Sequence, residues 1–135
     1  MLTENEVVQA VVQYLSDQGY EIDQALSTSQ KGIDIEATHP ARGKSFVEAK
    51  GATSSIITSK RYGKEFDSKQ IKKNVGVALL KSFQTMQLHP ESIVAIALPN
   101  NEGHRKVIES IKEPIKNSVL KVYMVNNDAS IYIYI

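Results

Sequence analysis

Three side chains in the first half of the chain have the types and spacing to do chemistry: Asp34, Glu48 and Lys50. Asp34 lies in Gly32-Ile33-Asp34-Ile35-Glu36, and the other two in Phe46-Val47-Glu48-Ala49-Lys50-Gly51. Residues two apart on a strand project from one face, so Glu48 and Lys50 stand roughly 6–7 Å apart on the same side. If the preceding strand is the hairpin partner, Asp34 sits beside them. Two carboxylates and an ammonium then share one small site. Carboxylate oxygens suit a hard divalent cation that keeps part of its water shell. Such a cation activates water and neutralises charge on phosphorus oxygens during hydrolysis of a phosphodiester. A solvated strand face with cross-strand ion pairs would also alternate in this way. It gives no reason for two acids and a lysine to converge.

The elements that must position these groups follow from periodicity. Val7, Val8, Val11, Val12 and Leu15 recur at helical spacing. Residues 3 to about 18 are therefore expected to be a helix, with Thr3 and Glu6 as a capping box and Gly19 as the stop. Residues 20 to about 26 form a short strand, 27–31 a polar turn, and 32–38 an alternating strand. A turn at His39-Pro40 leads into a third strand over 44–50, with Phe46, Glu48 and Lys50 on one face and Val47 and Ala49 on the other. Residues 51–67 show no period and read as a long loop, of a length that is often functional. A helix follows over about 68–87, capped by Asp67 or Ser68, and then a continuous apolar strand over 92–98, suited to cover on both faces. Residues 103 to about 117 predict a helix interrupted or kinked at Pro114. Strands over 120–125 and 130–135 complete the chain, the last with a buried isoleucine side and a tyrosine side. The order α-β-β-β-α-β-α-β-β predicts an α/β fold: a meander, a right-handed crossover, and a mixed sheet flanked by helices. Residues 1–135 read as one domain.

With an acid on one strand, Glu-x-Lys on the next, and a helix on either side, the sequence resembles the PD-(D/E)XK nuclease superfamily. That superfamily includes many restriction enzymes and archaeal Holliday-junction resolvases. The resemblance covers about the first ninety residues and departs from the pattern at Ile33, where the proline of the name would stand. It implies a restriction-endonuclease-like core and a metal-dependent endonuclease acting on DNA in repair, recombination or defence. It implies Asp34 and Glu48, helped by the backbone carbonyl of Ala49, as ligands of Mg²⁺ or Mn²⁺. Lys50 would orient the attacking water or stabilise the transition state. Many relatives add an acid from the first helix. At about 100° per residue Glu4 falls within the stripe of Val8, Val11 and Leu15, whereas Glu6 points nearly the opposite way and suits the capping box. Glu4 is therefore the expected auxiliary acid, although both acids would also complement the helix dipole. Glu36 shares the face of Asp34 and reads as a surface carboxylate.

Positive charge follows the motif in Lys60, Arg61, Tyr62 and Lys64, and continues in Lys69, Lys72 and Lys73. Lysine and arginine there would hold a nucleic-acid backbone without reading its sequence, and Tyr62 could stack on a base. An ordinary solvated basic loop has the same composition. The net charge of +1 excludes a histone-like coating protein. The absence of cysteine excludes a disulfide framework and thiolate zinc sites. His39, His89 and His104 show no metal spacing, and Gly-rich phosphate loops and Gly-x-Ser-x-Gly elbows are absent. Without a signal-like start or an apolar run of about 20 residues, a cytoplasmic protein with no membrane partner is expected. DNA, in preference to RNA, is the expected partner. So small a surface calls for a homodimer or an accessory protein to read a long site. The alternative is a non-catalytic nucleic-acid- or protein-binding module on the same fold.

Overall fold

The Thr3 hydroxyl accepts from the Glu6 N–H at 3.2 Å while the Glu6 carboxylate accepts from the Thr3 N–H at 3.0 Å. This reciprocal cap starts helix α1, Glu4–Asp17. Its buried residues Val7, Val8, Ala10, Val11 and Leu15 form one stripe and pack on one face of a six-stranded sheet. The structure, a computed structural model, describes residues 1–26, 32–54 and 63–135. The turn expected at 27–31 and residues 55–62 of the expected loop lie outside the described residues.

Strands β1 (Glu21–Ala25), β2 (Ile35–His39) and β3 (Gly43–Ala49) form the antiparallel meander read from the sequence. Helix α2, Ser68–Leu88, is capped by the Asp67 side chain. It carries the chain back so that β4, Ile93–Pro99, pairs parallel to β3. Helices α3 (Glu102–Glu109) and α4 (Lys112–Asn117) return it to β5, Lys121–Val125, again parallel, and β6, Ile131–Ile133, closes the edge antiparallel. The strands lie in sequence order from β1 to β6. As its unbroken apolar run implied, β4 is covered on both faces: Ala95 and Ala97 face the α1 core, while Val94, Ile96 and Leu98 face the core beneath α2. The fold is the helix-flanked mixed sheet expected from the sequence.

Three details differ from expectation. The helix of the second crossover breaks at Ser110–Ile111 rather than at Pro114, giving two helices where one was expected. Pro114 sits in the first turn of α4, where a missing N–H costs nothing, and its ring would clash with the carbonyl of Ser110 four residues back. Strand β2 begins at Ile35, so Asp34 precedes the strand instead of lying within it. The last strand has only three residues, and Ile133 is 44% exposed, so its isoleucine side is not continuously buried. His104 is a neutral core histidine in α3: its Nδ1 lies 2.8 Å from Asn101 Oδ1, and burial pushes its pKa down to about 4. Among the described residues no helix is long and apolar enough to cross a membrane.

Val119, just past the end of α4, holds φ at +62° and is 77% exposed. A β-branched residue is strained in this left-handed conformation, whereas glycine is at home there. Val119→Gly is expected to raise stability by about 1 kcal/mol, read as a higher denaturant midpoint at unchanged m.

Candidate active site

Ile35 of β2 pairs with Val47 of β3, so one step past the ladder Asp34 falls opposite Glu48. Asp34 Oδ2 accepts a 2.7 Å hydrogen bond from the Ala49 N–H. That bond replaces the next rung and pins the carboxylate at the end of β3. The N–H and C=O of one residue in an antiparallel ladder point to the same neighbour, so the Ala49 carbonyl looks to the side on which Asp34 sits. Glu48 alternates with Val47 and Ala49 and shares the α2 face with Phe46. Asp34 is 7% exposed and Glu48 1%, so these acids are not a solvated strand face.

Lys81, reaching down from α2, places its Nζ 2.8 Å from Glu48 Oε2 and donates to the Gly32 carbonyl at 3.1 Å. That ammonium is the partner of the buried Oε2, which has no other among the described residues. Burial, and then the hydrogen-bonding contact and charge of Asp34, push Glu48 up to about 8 against the opposing pull of Lys81. Lys81 is held above its ordinary value. Burial pulls it down, but the close contact with Glu48, together with the charges of Glu48, Asp34 and Glu4, outweighs that.

Lys50 follows the end of β3, and its N–H donates to the Ala97 carbonyl at 3.0 Å. The next rung of the parallel ladder would need an N–H from Pro99, which has none, so pairing between the strands ends there. The Lys50 side chain is half-buried, and its ammonium has no ion-pair partner among the described residues.

The first helix is tied to this corner. Ala52 N–H donates to the Leu2 carbonyl at 2.7 Å, and Thr3 bridges Thr53. A Cβ on Gly51 would lie 2.4 Å from the Glu4 backbone nitrogen, so only glycine lets helix and strand end approach this closely. Glu4 is thereby brought near enough for its charge to act on Lys81, while Glu6 is engaged in the cap. Glu36 pairs across the hairpin with Lys44 at 3.1 Å, as a surface carboxylate does.

Lys64, Lys69 and Lys72 are exposed. Nine residues of helix separate Lys72 from Lys81, which puts them about 180° apart around α2, and Lys72 lines a groove beside α3 instead. Lys69 is likewise turned about 120° from Lys81. The structure does not gather these two lysines with the acids. Lys60, Arg61 and Tyr62 lie outside the described residues. Lys81 was missed in the sequence. Its one signal is register: it lies three residues after Ala78 on the buried stripe of α2, next to the sheet-facing side.

Among the described residues no three His, Cys, Asp or Glu side chains converge as a ready ligand set. The donors for a cation are two carboxylates and a backbone carbonyl. They fit a hard cation: all are oxygens, and two ionised acids would face a single paired ammonium.

No family model and no curated protein matches the chain. Solved structures share its fold. An XisH family protein from Nostoc punctiforme superposes with a TM-score of 0.58 at 18% identity, covering 94% of this chain and 96% of that one. An fdxN element excision controlling factor protein from Anabaena variabilis gives 0.53 at 17% identity, covering 94% and 95%. Pyrococcus furiosus SfsA in complex with Ca²⁺ gives 0.39 at 14% identity, covering 58% of that chain, and carries no argument here. The chain thus has the α/β fold read from its sequence, a mixed six-stranded sheet with flanking helices, over nearly the whole length of the XisH-family structure it resembles.

Proposed function

We propose that this protein is a metal-dependent nuclease of the PD-(D/E)XK kind that hydrolyses phosphodiester bonds in DNA. The observation that carries the reading is the burial of Asp34 and Glu48 side by side at the end of β3, two acids against the single paired ammonium of Lys81. Asp34, Glu48 and the Ala49 carbonyl would hold Mg²⁺ or Mn²⁺. When bound, the cation supplies charge neutralisation at the phosphoryl oxygens and a more acidic water. Lys50, whose ammonium has no ion-pair partner among the described residues, donates to the attacking water or to the charge developing on phosphorus. Glu4 adds negative charge from the end of α1. Lys81 holds Glu48 in place and offsets part of the buried charge. Lys60, Arg61, Tyr62 and Lys64 contact the nucleic-acid backbone. One of the structures sharing the fold is named for control of the excision of a DNA element, a setting compatible with DNA as substrate.

A non-catalytic binding module is the second reading. It is favoured by Lys81, whose ammonium already balances Glu48 without any metal. Supercoiled, linear and branched DNA incubated with the protein in Mg²⁺ or Mn²⁺ separates the two. Metal-dependent cleavage of at least one form, abolished by chelation, is the expected outcome. Intact DNA in every arm would retire the nuclease reading.

A further inference from the structure

Helix α2 carries two apolar stripes. The inner one, Ile71, Val75, Ala78 and Ser82, is buried against the sheet side. The outer one runs Gly76, Leu79, Leu80, Phe83, at the i, i+3, i+4, i+7 interval by which one helix packs on another. Leu79 packs partly on the core beneath α2, but Leu80 is 61% exposed and Phe83 43%, so the Leu80–Phe83 part of the ridge has no partner among the described residues. Beside it a groove of about 740 Å³ opens between α2 and α3, with Leu79, Val107 and Ile111 among its apolar lining residues. Charged side chains of both signs also line it: Glu65 and Glu102 with Lys72 and Lys106.

Gly76 supplies a second, separate observation. Glycine inside a helix costs about 1 kcal/mol relative to alanine. A Cβ added at Gly76 would meet nothing within 4 Å, so the described residues of the chain make no use of the missing side chain. A second helix approaching the stripe would use it, because the distance between packed helix axes is set by the side chains at the crossing.

We propose that this face joins two copies of the chain, with α2 of one copy crossing α2 of the other antiparallel near Gly76 and Leu80. Each Leu80–Phe83 ridge then enters the groove beside the partner's α2. A ridge next to a groove on one surface is the self-complementary arrangement that a two-fold dimer requires. Charge agrees with it. Helix α2 contains no acid, and Lys69, Lys72 and Lys73 crowd its N-terminal third. An antiparallel copy sets these lysines beside the neutral Gln84 and Gln87 and the negative dipole end of its helix, whereas a parallel copy would oppose lysine with lysine. From Gly76 to Lys81 the helix turns about 140°, so the interface leaves both candidate active sites open.

Sedimentation equilibrium on the full chain, from micromolar to hundreds of micromolar, tests this. The parent protein is expected to sediment at twice its 15.0 kDa mass. Leu80→Glu and Phe83→Glu are expected to sediment as monomers with an unchanged circular dichroism spectrum. Leu88→Glu, which alters a 76% exposed leucine of the same helix outside the stripe, is expected to remain dimeric. Gly76→Leu, harmless to an unpartnered helix, is expected to weaken the dimer at least about tenfold in dissociation constant. A parent protein that stays monomeric throughout, whatever other protein it binds, would overturn the proposal. So would a dimer that survives Leu80→Glu.

Discussion

Lys50→Ala is expected to unfold at the denaturant midpoint of the parent protein and to cleave DNA in Mg²⁺ at least about a hundredfold more slowly. The two halves of this result have separate causes. The Lys50 ammonium has no ion-pair partner among the described residues, and its one recorded backbone bond, to the Ala97 carbonyl, survives in alanine. Removing the side chain therefore costs within about 0.5 kcal/mol of stability. If the amine donates to the attacking water or to the phosphoryl oxygens, its loss is felt only in the transition state and lowers kcat with little change in KM. Single-turnover cleavage beside chemical denaturation measures both. Cleavage at the parental rate would remove Lys50 from the chemistry, and a large drop in stability would make it a structural residue.

The second large effect concerns Glu48→Gln. In the metal-free protein the folded-state pKa of Glu48, about 8, lies above its ordinary value of 4.5. Between those values the folded chain binds more protons than the unfolded chain, so stability falls as pH rises across that window. The stabilisation present below about 4.5 is gone once pH has passed about 8. The loss is on the order of a few kcal/mol. Glutamine carries no charge at either end of the range. The variant is therefore expected to be nearly flat in this contribution and, without metal, more stable than the parent at pH 8. Added Mg²⁺ should reverse the order, because a cation that binds only the folded parent stabilises it by mass action, whereas the variant has lost a ligand. Lys81, left without its partner, is 40% exposed at its side chain and can rehydrate. Thermal unfolding at several pH values with and without Mg²⁺ reads all of this. A parent whose melting is indifferent to pH between 5 and 8, or a variant that responds to Mg²⁺ like the parent, would break the link between the acid pair and a metal.

Much of this site could be read from the sequence because strands place side chains by simple alternation. Glu48 and Phe46 share a face, Val47 and Ala49 take the other, and the hairpin brings Asp34 opposite Glu48. The capping box was legible for the same kind of reason: it commits Glu6 to the start of α1, while the charge of Glu4 reaches Lys81. Lys81 was not legible, because its partner lies 33 residues earlier and only the docking angle of α2 decides which flank of that helix meets Glu48. Charge alone did not show that Lys69 and Lys72, which follow the motif in sequence, turn away from Lys81 once α2 is wound. Pro114 was correctly taken as a breaker, but the break falls where its ring would collide, four residues upstream.

Pro99 has a consequence for where the chain goes after the acids. Because it offers no hydrogen to the Lys50 carbonyl, the seam between β3 and β4 stops being stitched just past the Glu-x-Lys triplet. The chain leaving Lys50 is released from β4 there, and two residues on, its backbone has met the start of α1, where the Ala52 N–H donates to the Leu2 carbonyl. One absent hydrogen thus lets the strand that carries Glu48 peel off toward the first helix instead of running on beside β4.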